Sequence, residues 1–154
     1  MRSLQGSPSN IAKPILGKII KSYHSKWFSR KREPQILLVS EQRINLPKAD
    51  AYIVSGFLPE IAKLKVAFIE GLSLENILSL NDGDIVLLSK DGKINVVYEI
   101  NSDHNALLAT NYCNLRCIMC PQPLDTEQED LLDYNLALIQ MMDPNKTSNL
   151  AITG

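Results

Sequence analysis

The chain has 154 residues, enough for one ordinary domain or two small ones. Apolar residues make up 45% of it, and 16 basic against 17 acidic side chains leave a net charge of -1, a balance that predicts no nucleic-acid partner. No stretch approaches the length needed to cross a bilayer, so no transmembrane segment is expected, and an odd count of 3 cysteines without a secretory signal argues for a reducing cytoplasm over a disulfide framework.

The first ten residues are polar, and the stretch after them is strongly basic. Lys13, Lys18, Lys21, Lys26, Arg30, Lys31 and Arg32 accompany an apolar stripe of Ile15, Leu16, Ile19, Ile20, Tyr23, Trp27 and Phe28. That pattern predicts a basic amphipathic helix within residues 1–34. Its stripe packs on its own domain, or else docks on an anionic membrane surface or a partner protein.

Residues 35–105 read as a small β-rich accessory domain. Short apolar runs at 36–39, 52–54, 66–69, 85–88 and 94–100 are bounded by turn residues. Asp91-Gly92 predicts a type I′ hairpin between the last two runs. Ser73 is placed to cap a short helix through Leu80, and Asp82 and Asp84 read as turn residues, because the rest of a calcium loop is missing. His24 and His104 have no acid or nucleophile at a recognisable offset. The service expected of this region is recognition of a peptide at a free strand edge, or else a covering role alone.

Residues 106–154 carry the chemistry. An apolar strand, 106–110, runs into Cys113-Asn114-Leu115-Arg116-Cys117-Ile118-Met119-Cys120, which holds every cysteine of the chain. Pro121 and Pro123 make the following segment stiff and irregular. Thr126 with Glu129 forms a capping box, supported by Glu127 and Asp130, for a helix carrying Leu131, Leu132, Leu138, Ile139 and Met142 and ended by Asp143-Pro144. Leu150-Ala151-Ile152 is a second strand. Strand, crossover helix and strand make a parallel unit whose functional loops gather at the strands' carboxyl ends, where both the cysteines and Thr153-Gly154 fall.

Three thiolates at this spacing suit a [4Fe–4S] cube, which usually takes four, and they leave one iron open to a substrate or cofactor. A structural zinc needs four ligands, and the nearby candidate for a fourth, His104, lies in a polar turn. The Cys-x-x-x-Cys-x-x-Cys segment, preceded by Thr110-Asn111-Tyr112, resembles the signature of the radical S-adenosylmethionine (SAM) enzymes. With Leu80-Asn81-Asp82-Gly83-Asp84-Ile85-Val86, Gly92-Lys93-Ile94-Asn95-Val96-Val97-Tyr98 and Pro121-Gln122-Pro123, residues 35–154 resemble the radical SAM maturases of His-Xaa-Ser peptide systems.

The resemblance implies a [4Fe–4S] cluster on Cys113, Cys117 and Cys120, with SAM chelating the open iron. It places Met119, where the wider family carries an aromatic residue, against the adenine. It makes Gly154 the first glycine of the family's Gly-Gly-Glu segment, which holds the SAM amino group. A ribosomally made precursor peptide is the implied substrate, and a reductase or flavodoxin the implied electron donor. The implied fold is α+β: a small β-rich N-terminal domain, then the first strand–helix–strand unit of a partial (β/α) radical SAM barrel. Two parallel strands and one helix close no barrel, so the chain reads as the front of a longer enzyme and is expected to be inactive alone. The competing class is a non-catalytic iron–sulfur-binding fragment or an electron carrier.

Overall fold

The structure is a computed structural model and describes residues 2–21, 33–39, 48–57, 59–63, 65–110, 131–147 and 149–154. The chain divides into two compact units, Met1–Asn101 and Ser102–Gly154.

Among the described residues the first unit holds one mixed sheet of eight strands: β1 (Arg2–Gln5), β2 (Ser7–Ser9), β3 (Ile15–Ile20), β4 (Gln35–Val39), β5 (Ala51–Ser55), β6 (Ala67–Leu72), β7 (Ile85–Leu88) and β8 (Lys93–Tyr98). In space they run β1-β8-β7-β3-β4-β5-β6-β2. The two strands at the ends of that order are neighbours in the chain, with Gly6 alone between them. The sheet therefore curls until its ends meet, and a strand bent at Gly6 closes it as a barrel. β3, β4, β5 and β6 are mutually parallel, while β7, β8, β1 and β2 join antiparallel.

Closure depends on two glycines. The Gly6 amide donates to the Gly92 carbonyl at 3.0 Å. A methyl group on Gly6 would lie 2.6 Å from the Glu70 carbonyl oxygen, and one on Gly92 would strike the Gly6 carbonyl. Gly92 also has φ +83, which glycine adopts without strain.

Alternation along the strands divides the apolar residues into two layers. Ile36 and Leu38 of β4, Ala51 and Ile53 of β5, Ala67 and Ile69 of β6, Val86 and Leu88 of β7, and Ile94 and Val96 of β8 share one buried cluster, to which Leu4 of β1 adds. A cluster fed from all around the sheet is the barrel interior. Leu37, Val39, Tyr52, Val54 and Phe68 point the other way and pack with Ile61 of a short helix, α1 (Pro59–Ala62). The parallel strands are thus covered on both faces, as parallel sheets require. Helix α2 (Leu74–Ser79) adds Ile77 and Leu80 to the interior, and it starts as expected on Ser73, whose hydroxyl accepts from the Asn76 amide at 3.2 Å.

The structure corrects three expectations. Residues 15–20 form a strand at the centre of the sheet, not the first turns of a basic helix, and segment 1–34 supplies three barrel strands. Adjacent apolar pairs at 15/16 and 19/20 fit a helical stripe, but they also fit a strand buried on both faces, as Ile19 and Ile20 are. β-Branched isoleucines, Gly17 and pairing on two sides favour the strand. Tyr23, Lys26, Trp27, Phe28, Arg30, Lys31 and Arg32, with His24, lie outside the described residues.

The hairpin is not type I′. Only Gly92 of its loop has a positive φ, and the bonds Gly92 N–H to Ser89 C=O and Ser89 N–H to Lys93 C=O define a three-residue loop with a bulge at Gly92.

The fold class also changes. Strand outweighs helix by more than two to one among the described residues, and one eight-stranded sheet dominates. The chain is mainly β, not the α+β arrangement led into a partial (β/α) barrel. The barrel belongs to the first unit and is built by antiparallel closure of a mixed sheet. The second unit holds β9 (Asn105–Leu108), α3 (Leu132–Met141) and β10 (Leu150–Thr153), with β9 and β10 paired in parallel as a two-stranded sheet.

Candidate metal centre

β9 and β10 run side by side from Asn105↔Leu150 to Leu108↔Thr153. Pairing continues past the strands, because the Ala109 amide donates to the Thr153 carbonyl at 2.7 Å. Being parallel, the two strands end on the same side. Gly154 stands there beside Thr110: a methyl group on Gly154 would lie 2.9 Å from the Thr110 methyl and 3.4 Å from its amide nitrogen.

Helix α3 turns Asn135, Leu138 and Met141 inward and leaves Leu132, Leu136 and Ile139 exposed. The apolar spacing puts Leu132 and Ile139 on the buried stripe, but in the structure Asn135 takes that place. Its side-chain amide donates to the Leu108 carbonyl at 2.9 Å, so the helix grips the last residue of β9. The opposite end of Asn135, Oδ1, is buried and has no hydrogen-bond partner among the described residues. Burial also pushes the neighbouring Tyr134 phenol above its ordinary pKa, since the phenolate would lose hydration. Past the helix, Asp143 organises a turn: its carbonyl accepts from the Thr147 hydroxyl at 2.8 Å, and its carboxylate from the Asn145 amide at 3.0 Å.

Of the residues singled out in the sequence, Gly154 is described and stands at the strand ends. Cys113, Cys117, Cys120 and Met119 lie outside the described residues, as do Thr126 and Glu129 of the capping box. They fall between Thr110 and Leu131, so the segment that carries them leaves from the end of β9 and returns at the start of α3. His104 is exposed and belongs to a turn in which its backbone amide donates to the Ser102 hydroxyl at 3.1 Å. Among the described residues no three His, Cys, Asp or Glu side chains converge in a metal-binding group.

The aspartates of the first unit serve its backbone. Asp84 is fully buried and accepts from the Ile100 amide at 3.0 Å and the Asn81 amide at 2.8 Å, while Asp82 accepts from the Lys21 amide at 2.8 Å. Within the described part of this unit β1 and β2 are the terminal strands of the order, each paired on one side only, with β8 and β6 respectively.

Sequence reasoning missed Asn135. The signal was an asparagine in the middle of a predicted helix, one helical turn from both Leu131 and Leu138, where a side chain that competes for backbone bonds needs a reason.

Compared with protein-family models, with curated proteins and with solved structures, the chain matches none. Among the described residues no helix is long and apolar enough to cross a membrane.

Proposed function

We propose that the chain is a radical SAM protein that binds a [4Fe–4S] cluster and acts on a ribosomally made peptide. The observation that carries this reading is the segment Cys113-x-x-x-Cys117-x-x-Cys120, set between the carboxyl end of one parallel strand and the helix leading to its neighbour. The donor set fits the group: three thiolates suit a cube and leave one iron for the amine and carboxylate of SAM. When bound, the pair supplies one-electron cleavage of SAM and a 5′-deoxyadenosyl radical able to take a hydrogen atom.

The chain's own part is to hold and shield. Cys113, Cys117 and Cys120 would anchor the cluster, and Met119 would pack a thioether against the adenine. Gly154, packed beside Thr110 at the strand ends, would offer its backbone to the SAM amino group. Electrons would come from a reductase or flavodoxin in a reducing cytoplasm, where free thiolates persist.

The test is anaerobic reconstitution of the chain with iron and sulfide, followed by iron analysis and electron paramagnetic resonance (EPR) of the reduced sample. The expected result is one cube per chain, lost in Cys117→Ala, with a spectrum that changes on adding SAM. A cube whose spectrum ignores SAM would make the chain an electron carrier or a non-catalytic cluster protein. Absence of any cube would end the iron–sulfur reading.

A further inference from the structure

We infer that Asn135 is a positioning residue that clamps the neck of the cysteine-bearing segment; the link to a cluster rests on the iron–sulfur reading above. The hydrogen bond from its Nδ2 to the Leu108 carbonyl spans 27 positions of sequence and joins the end of β9 to the first turns of α3. All three cysteines lie between those two points. On the other side of the same strand end, the Ala109 amide is held by the Thr153 carbonyl. Consecutive backbone groups at the base of the segment are therefore fixed from two directions, one by the helix and one by the neighbouring strand.

The choice of residue supports a dedicated role. Asn135 is 8% exposed, on the same helix face as Leu138 and Met141, and its Oδ1 is left without a partner among the described residues. A leucine would fill that space without stranding an acceptor, so an asparagine there is explained by what its other atom does. Loop closure is what that atom achieves. A segment tied at its base samples fewer arrangements, and three thiolates that must meet one cube lose less freedom on binding it.

The experiment uses the full chain with Asn135→Leu, which removes the donor and keeps the volume, and Asn135→Ala, which removes the donor and the buried acceptor together. Amide exchange without iron reads the neck directly. The expected result is exchange at Ala109 about tenfold faster in both variants, with the α3 amides of Leu138 and Met141 still protected, which shows that the second unit keeps its fold, and the barrel amides of Ile94 and Val96 unchanged. After reconstitution, both variants should retain several-fold less iron through gel filtration than wild type, and the residual reduced cluster should give a broadened EPR spectrum. Unaltered exchange at Ala109 overturns the clamp. Faster exchange with wild-type iron retention and an unaltered spectrum overturns the link to the cluster. Wild type that takes up no iron sinks the iron–sulfur reading, and the exchange result then decides the clamp alone.

Discussion

Parallel strands occur in both units, and the two units treat them differently. In the barrel, β4, β5 and β6 bury Ile36, Ile53 and Ile69 on the inner face and Leu37, Tyr52 and Phe68 on the outer one. In the second unit, β10 leaves Ala151, Ile152 and Thr153 exposed, and Leu132, Leu136 and Ile139 of α3 face outward too. Parallel pairing is stabilised by cover on both faces. The barrel obtains its cover from its own interior, α1 and α2, whereas the described part of the second unit is held by one strand pair and one helix face. Stability should therefore reside in the first unit, whereas the three cysteines belong to the less covered one.

The sharpest way to break this contrast is a matched pair of truncations. Ile69→Ala empties a fully buried site in the barrel interior and should cost about 2–5 kcal/mol, read as a lower urea midpoint. Ile152 is 72% exposed, and Ile152→Ala should change stability by no more than about 0.5 kcal/mol. A comparable loss at both positions would show that β10 is covered in solution.

Glycine substitutions sharpen the comparison at the next level. Gly92→Ala sets a methyl group against the Gly6 carbonyl at the seam of the barrel and strains a backbone with φ +83, so a loss of about 2 kcal/mol or more is expected. Gly154→Ala meets first the Thr110 methyl, a side-chain atom that can turn away, and should cost well under about 1 kcal/mol. Equal melting temperatures for Gly92→Ala and wild type would mean that the seam does not hold the barrel shut.

Much of the strand content was legible because each strand is an apolar run ended by turn residues: β4, β5, β6, β7, β8, β9 and β10 all fall on such runs. Closure was not, because it pairs Arg2 with Val96 and Ser7 with Glu70, partners that no local pattern links. The strand at 15–20 was misread for a physical reason. Burial on both faces removes the alternation that marks a strand, and the surviving apolar pairs imitate a helical stripe. Asp91-Gly92 misled as to turn type, since one positive φ suffices when the loop carries a bulge. At the candidate site, the cysteine spacing is a purely sequential signal and was read directly. Asn135 stayed hidden because an asparagine in a helix reads as solvent-facing until the strand end it grips is in place.

The smallest expected effect isolates the second unit by pH. The Tyr134 phenol has its pKa raised by burial, so the folded chain favours the neutral form more than the unfolded chain does. The stability this confers is fully present below the unfolded value of about 10, and it is lost as pH climbs through the higher folded value. Tyr134→Phe removes the proton and with it this dependence. Melting temperatures followed from pH 8 upward should fall more steeply for wild type than for Tyr134→Phe once the solution passes about pH 10. Parallel curves would mean that Tyr134 keeps its hydration in the folded state and that the inner face of α3 is more open than its packing against β9 requires. A steeper wild-type curve would instead establish that this face is closed, which the grip of Asn135 on Leu108 presupposes.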